Sequence, residues 1–178
     1  MNQPLKERLN KAIRDVPDFP KPGILFKDIT PVLKDPVLCR DIVDSFHASF
    51  SGDRIDSIVG IESRGFIFGM MLAQKFDVPF IPIRKHGKLP FKTISYKYDL
   101  EYGSAIMEVH VDAINEGSNV LIHDDLLATG GTASAAAELV KMQRGNVAGF
   151  AFLVGLDFLK GDDVLKKHSD KIISLINY

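Results

Sequence analysis

The chain has 178 residues, 46% of them hydrophobic, enough for one domain over residues 1–178 with a substantial core and too few for two of ordinary size. A formal net charge of −1 and a pI near 6.5 give no general attraction to nucleic acid or to an anionic membrane, and no apolar run is long enough to suggest a span. The start MNQPLKERLN lacks the apolar stretch of a secretory signal, and the lone Cys39 cannot make an internal disulfide or a metal cluster, so a soluble protein of the reducing cytoplasm is expected.

Leu5, Leu9, Ala12, Ile13 and Val16 recur at helical spacing and predict an amphipathic helix near residues 4–16, ending before Pro17. The segment PDFPKPGILFKDITPVLKDP spreads five prolines over Pro17 to Pro36, which excludes regular helix or central strand and predicts an extended hood within residues 1–34. Phe26 inside it serves either core packing or the stacking of a planar ligand. Asp35 as N-cap and Pro36 at the first helical position open a second helix through Val37, Leu38, Ile42, Val43 and Phe46, ending near Ser51–Gly52, with Cys39 as a packing residue.

Ser57 to Ile61 (SIVGI) reads as a short apolar strand that delivers Glu62, Ser63, Arg64 and Gly65 to a helix over Phe66–Phe76. Gly65 and Gly69 in that helix imply close backbone approach. Val78 to Ile83 is the next strand, placed toward an edge or distorted by Pro79 and Pro82, and it leads into RKHGK, Arg84 to Lys88, which is either a solvated basic face or a phosphate-facing cluster. Residues 88–104 lack sustained periodicity and predict a flexible loop or two-stranded flap, and Ala105–Val111 alternates like a half-exposed strand.

The most informative stretch is VLIHDDLLATGGT, Val120 to Thr132. A buried strand brings Asp124 and Asp125 to its carboxyl end, and a small-residue turn enters an alanine-rich helix for which Gly145 is the expected C-cap. Ala128 to Thr132 can cradle a phosphate, since glycines permit close approach and a helix N-terminus offers free N–H groups and a positive dipole end. The carboxylates before it suit ribose hydroxyls or a divalent cation held through water. Phosphate plus vicinal hydroxyls describes a sugar phosphate. The glycine spacing fits neither a P-loop nor a dinucleotide fingerprint. Two further strands, Val147–Val154 and Ile172–Ile176, complete an α/β pattern that implies a mainly parallel twisted sheet flanked by helices. Glu62–Arg64, Arg84–Lys88 and Asp124–Thr132 then fall on one rim.

The thirteen-residue stretch resembles the binding motif of the type I phosphoribosyltransferases. ESRGF, RKHGKLP, YDLEYG and DDLLATGGT, together with FPKPGILFKDITPVLKDP, resemble in order and over nearly the whole chain the adenine phosphoribosyltransferases. That resemblance implies conversion of adenine and 5-phosphoribosyl 1-pyrophosphate to AMP and pyrophosphate in purine salvage, with Mg²⁺ held mainly by substrate and water and no metal ligand assigned, in a homodimer. It places Asp124 and Asp125 at the ribose hydroxyls, Ala128, Thr129, Gly130, Gly131 and Thr132 around the 5-phosphate, and Arg64, Lys85 and Lys88 at pyrophosphate. Arg84 reaches its own or the partner subunit's site, and a cis peptide between Glu62 and Ser63 aims an N–H at pyrophosphate. Adenine lies between Phe26 and Leu126, read by main-chain groups of Leu25 and Lys27, while Glu101 and Tyr102 sit on the closing flap.

Two positions depart from the family pattern. His123 stands where an apolar residue is usual, read as a partly buried histidine satisfied by a local acceptor in preference to a catalytic one, and Lys27 replaces an arginine whose side chain is expected to matter little. The acidic pair is expected at the surface, adding little to stability. The alternatives are an oxopurine or pyrimidine transferase and a non-catalytic regulator that binds the sugar pyrophosphate. The oxopurine enzymes present a lysine after the phosphate helix, of which no obvious equivalent occurs in Phe150–Leu159, and a regulator would bring a nucleic-acid domain or basic surface, which the chain lacks.

Overall fold

The computed structural model describes residues 4–99 and 103–178. Helix α1 (Leu5–Ala12) is followed by strands β1 (Arg14–Pro17) and β2 (Leu25–Asp28), an antiparallel pair in which Val16 faces Phe26 and Pro17 faces Leu25. The helix predicted as far as residue 16 therefore stops early. Val16 precedes a proline, which disfavours helical backbone, and Pro17 itself could donate nothing to a helical ladder. A 3₁₀ turn at Thr30–Lys34 leads to α2 (Pro36–Ser49), whose N-cap behaves as predicted: Asp35 Oδ1 accepts the N–H groups of Val37 and Leu38, both at 2.9 Å. Such a cap is worth about 1 kcal/mol.

The chain continues through β3 (Ser57–Ile61), α3 (Gly65–Phe76), β4 (Phe80–Lys85), β5 (Thr93–Asp99), β6 (Ser104–His110), β7 (Asn119–Leu127), α4 (Gly131–Met142), β8 (Asn146–Gly155), α5 (Gly161–Leu165) and β9 (Ile172–Asn177). The main sheet has the order β5-β6-β4-β3-β7-β8-β9, parallel from β4 to β9 and antiparallel where β6 joins β4 and β5. Its strands alternate between two apolar layers. Ile58 and Leu121 pack with Phe46 and Phe68 under α2 and α3, whereas Val59 and Ile122 meet Leu139 and Phe152 on the α4 side. Full burial of each such side chain contributes roughly 1.5–3 kcal/mol. Among the described residues no helix is long and apolar enough to cross a membrane.

Three local expectations are corrected. Strand β4 is interior, between β3 and β6, which removes the edge placement and leaves the other alternative, a position made irregular by its prolines. The Pro79 and Ile83 carbonyls accept N–H groups from the β3 side, so Pro82 turns its nitrogen the other way, where β6 pairs only at Arg84 and Lys85. Strand β6 is not half-exposed at Glu108, which is 2% accessible. Helix α4 is capped at Gln143 with the left-handed turn on Arg144 (φ 61°); Gly145 is needed for space, since a Cβ there would come 2.8 Å from Ile114 Cγ2.

Because β3, β4 and β7 run parallel, their carboxyl ends open on one rim. All three chemistry-bearing segments leave the sheet there.

Candidate active site

Strand β7 runs on past Asp124 and Asp125 to Leu127, so both acids project from regular strand backbone. The turn that follows depends on Gly130. Its φ is 81°, and a Cβ would lie 2.6 Å from the Gly161 carbonyl oxygen, so no other residue fits without displacing α5. Gly130 O accepts the Ser134 N–H at 2.8 Å, and the first-turn N–H groups of Gly131, Thr132 and Ala133 have no carbonyl a turn earlier to bond. A cavity of about 200 Å³ is lined by Arg64, Asp124, Asp125, Leu126 and residues 127–133. The predicted members Arg64, Asp124, Asp125, Leu126, Ala128, Thr129, Gly130, Gly131 and Thr132 are thus gathered in one polar hollow.

The acidic pair is not at the surface, as expected from the sequence, but is sunk into the rim. Asp125 is 2% accessible, and α3 presses on the pair so closely that a Cβ at Gly65 would lie 3.0 Å from Asp124 Oδ1. Asp124 Oδ1 accepts the Asp125 N–H at 2.8 Å, and Arg64 Nε forms an ion pair with Asp125 Oδ2 at 2.8 Å. Burial, followed by the neighbouring charge of Asp125, pushes the Asp124 carboxyl well above the ordinary range. Burial also raises Asp125, against the pull of Arg64. Two carboxyls held side by side with few donors favour an incoming hydroxyl or cation.

His123, one residue earlier, is fully buried with its ring edge-on to Phe46 and Phe68 at centroid distances of 5.7 and 6.5 Å. Neither ring nitrogen reaches full hydrogen-bond geometry among the described residues, but the Ala151 backbone on the neighbouring β8 acts as a local acceptor that pulls weakly against burial. Burial pushes its pKa down to about 4, and the ring stays neutral.

The basic loop after β4 is held by two glutamates, the buried Glu108 and the half-buried Glu62, whose carboxyl end is shielded. Glu62 takes Arg84 Nε (3.2 Å) and the Lys85 N–H (2.9 Å) on Oε2, and Lys88 Nζ on Oε1. Burial raises the Glu62 carboxyl, but Lys88, the Lys85 N–H and Arg84 together bring it below its ordinary value. Arg84 also donates Nη1–H to the Lys88 carbonyl at 3.0 Å, so its guanidinium is engaged within its own loop. Glu108, which sequence reasoning missed, receives the loop's N–H groups from below. The only local signal was an acid between the apolar Met107 and Val109. Ser63 is exposed, and the Glu62–Ser63 peptide is cis, as the resemblance implies.

Under the hood lies a more apolar cavity of about 770 Å³, bounded by Leu25, Lys27, Leu156, Phe158 and Tyr178 and sharing Ala128 and Thr129 with the polar hollow. Phe26 packs edge-on to Phe19 at 5.1 Å and has the Arg64 guanidinium 5.0 Å from its ring centre. It stands beside the junction and does not line the apolar cavity. The Lys27 side chain, expected to matter little, is buried: Nζ lies 2.6 Å from Asp15 Oδ1 and 3.6 Å from the centre of the Tyr178 ring. Two further contacts escaped sequence reasoning, Tyr98 O–H at 3.2 Å from Thr132 Oγ1 and the brace formed by Tyr178, because their partners are remote in the chain. Glu101 and Tyr102 lie outside the described residues.

The sheet, the acidic pair and the glycine cradle correspond to a phosphoribosyl-transferring class, and the phosphoribosyl transferase domain family matches residues 34–177. The adenine phosphoribosyltransferase of Cytophaga hutchinsonii is 49% identical over 174 residues, 98% of this chain and 96% of that one. The crystal structure of the Thermoanaerobacter pseudethanolicus adenine phosphoribosyltransferase superimposes with a TM-score of 0.94 at 48% identity, covering 98% and 100% of the two chains. That of the Saccharomyces cerevisiae enzyme, complexed with an imino-altritol bisphosphate and adenine, gives 0.89 at 42% identity over 96% and 98%. The chain belongs to the adenine phosphoribosyltransferase family.

Proposed function

We propose that this chain, as a single phosphoribosyltransferase domain, performs its family's purine-salvage reaction, adenine plus 5-phosphoribosyl 1-pyrophosphate to AMP plus pyrophosphate, by dividing the substrates between two adjoining cavities. The observation that carries this reading is that the phosphate cradle and acidic pair line one polar hollow that shares Ala128 and Thr129 with the apolar cavity under the hood. Ala128 to Thr132 take the 5-phosphate through backbone N–H groups, and Asp124 and Asp125 take the ribose hydroxyls. Arg64, Lys85 and Lys88 meet the pyrophosphate, with the backbone at Glu62–Ser63 assisting and Arg84 bracing the loop. Adenine lies where the two cavities meet, between Phe26, which touches Arg64 of the polar hollow, and Leu126 of that hollow, with its edge reaching the backbone of Leu25 and Lys27 in the apolar one. Glu101 and Tyr102 lie outside the described residues and keep the role that the resemblance implies for them on a flap over residues 88–104, and the hood is assigned to residues 1–34.

Glycosyl transfer develops positive charge on the ribose and negative charge on the leaving pyrophosphate. Carboxylates beside the first and cations beside the second stabilise both, and a closing flap excludes water. The donor set suits Mg²⁺: two hard carboxylates line the polar hollow, where substrate oxygens and water would complete the octahedral shell that ion prefers. Asp124 and Asp125 would hold it together with substrate oxygens and water. Bound there, Mg²⁺ would neutralise charge on the pyrophosphate. Assembly as a homodimer, which the family resemblance implies, is part of the same proposal. A free, buried Cys39 suits the reducing cytoplasm.

Base choice tests the assignment. Adenine presents a donor at its 6-amino group and an acceptor at N1, and hypoxanthine presents the reverse, so fixed backbone groups of Leu25 and Lys27 that pair with one repel the other. Adenine should exceed hypoxanthine and guanine by at least about a thousandfold in kcat/KM. Pyrophosphate release measured with the three bases at saturating sugar pyrophosphate checks this, and comparable rates with hypoxanthine would overturn backbone reading by the hood.

A further inference from the structure

Glu108 is a buried carboxylate on β6, 2% accessible, and none of the roles above uses it. Its Oε1 accepts three successive backbone N–H groups, from Gly87 at 3.0 Å, Lys88 at 3.2 Å and Leu89 at 3.2 Å. Its Oε2 lies 3.1 Å from His86 Nδ1 and 3.4 Å from Thr93 Oγ1. Burial alone would raise this carboxyl, but the N–H bonds from Leu89, Lys88 and Gly87 and the His86 charge outweigh it, and the group is held below its ordinary value. An ionised carboxylate this well supplied with donors is a fixed anchor.

What it anchors is specific. Lys88 is gripped at both ends, its backbone N–H by Glu108 and its Nζ by Glu62, while its carbonyl accepts from Arg84. The Glu62 contact is between flexible side-chain tips and can be exchanged for an anionic ligand. The Glu108 contact is to backbone and cannot follow a moving side chain. His86 cannot replace it, since its side chain is 67% exposed.

We infer that Glu108 is the positioning residue of the pyrophosphate loop: it fixes the backbone from Gly87 to Leu89 so that Lys88 can leave Glu62 for pyrophosphate without the loop shifting. This rests on the reading of Lys88 as a pyrophosphate residue. A misplacement of about 1 Å in such a group can cost on the order of 10²-fold, so the loss should fall on the substrate that carries the pyrophosphate.

Steady-state kinetics with each substrate varied in turn, for the wild type, Glu108→Ala, Glu108→Gln and Lys88→Ala, provide the test. Glu108→Ala should raise KM for the sugar pyrophosphate about tenfold or more and leave that for adenine within about twofold. Glu108→Gln, whose amide oxygen can replace Oε1, should restore the first value to within about threefold of wild type. If Glu108→Ala does not fold, Glu108→Asp carries the test, since its carboxylate retreats by one methylene and should give a selective rise of about fivefold. A sugar-pyrophosphate KM unchanged in the Glu108 variants but raised in Lys88→Ala sinks the inference alone. Unchanged values in Lys88→Ala sink the loop's assignment and the inference with it, and equal rises for both substrates mean Glu108 only supports the fold.

Discussion

Two pairs of acids lie on the same rim and respond to burial in opposite ways. At the end of β7 the Asp124 and Asp125 carboxyls are driven up. At the basic loop Glu62 and Glu108 are held down. Desolvation opposes the charge in all four, so the sign is decided by the supply of donors. The glutamates receive ammonium, guanidinium and backbone N–H groups, whereas Asp124 has one N–H from its neighbour and Asp125 a single arginine. Satisfied acids hold structure and under-supplied ones hold ligands.

The first way to break this contrast is Asp124→Asn. The amide oxygen keeps the bond from the Asp125 N–H, yet the charge beside the ribose is gone, so kcat should fall on the order of 10²–10³-fold. Stability should move the other way. Since folding raises this carboxyl above its ordinary 3.8, the folded state holds the proton longer than the unfolded one. The charge therefore costs stability as pH rises from 3.8 through the folded value, and that cost persists at pH 7.5. Urea midpoints should be equal or higher for the variant at pH 7.5, and a clear loss of stability there would place Asp124 with the satisfied acids. Glu62 and Glu108 carry the reverse sign, giving stability that is present above 4.5 and lost as pH falls through their lowered values.

The same contrast explains what could be read from sequence. Asp124 to Thr132 was legible because strand, acids, glycine turn and helix are contiguous, so local rules specify their relation. The parallel sheet was legible for the same reason, from repeated strand-to-helix units at Ser57 and Asn119. What escaped was set by distant partners. Glu108 sits in an alternating strand that gives no hint of three N–H groups arriving from another loop, Lys27 is fixed by Tyr178 at the far end of the chain, and Arg14 to Pro17 become strand only because Leu25 to Asp28 lie beside them. Tertiary context overrides local spacing at each of these positions.

His123 extends the contrast to its limit, a fully buried titratable group whose one polar neighbour, the Ala151 backbone, only weakly offsets desolvation. Its pKa falls from 6.5 to about 4, so between those values the unfolded state binds a proton that the folded state refuses. Stability is lost as pH drops from about 6.5 toward about 4 and is unaffected above. His123→Leu should remove that slope, gaining roughly 2 kcal/mol relative to wild type at pH 5 beyond any gain at pH 7.5. It should leave kcat within about twofold, because the ring does not line the cavity. Urea denaturation of both proteins at the two pH values checks the slope, and a tenfold fall in kcat would make the histidine part of the chemistry.

Lys27 offers the smallest and most discriminating change. It is a buried cation with two partners, Asp15 and the Tyr178 ring, so by the rule above it should hold structure and do no chemistry. Because Asp15 is 54% exposed, the ion pair is screened, and the ring contact adds a comparable amount; Lys27→Ala should cost about 1 kcal/mol in all. Base reading, in contrast, uses the main chain of Leu25 and Lys27, which alanine retains. The ratio of kcat/KM for adenine over hypoxanthine should therefore hold within about threefold while the thermal midpoint falls by a few degrees. The two readouts separate the roles. A lost preference at unchanged stability would mean the ammonium faces the base, and a loss of both would mean the hood's backbone keeps its shape only through the Lys27–Tyr178 brace, making Tyr178, the residue after β9, part of the specificity device.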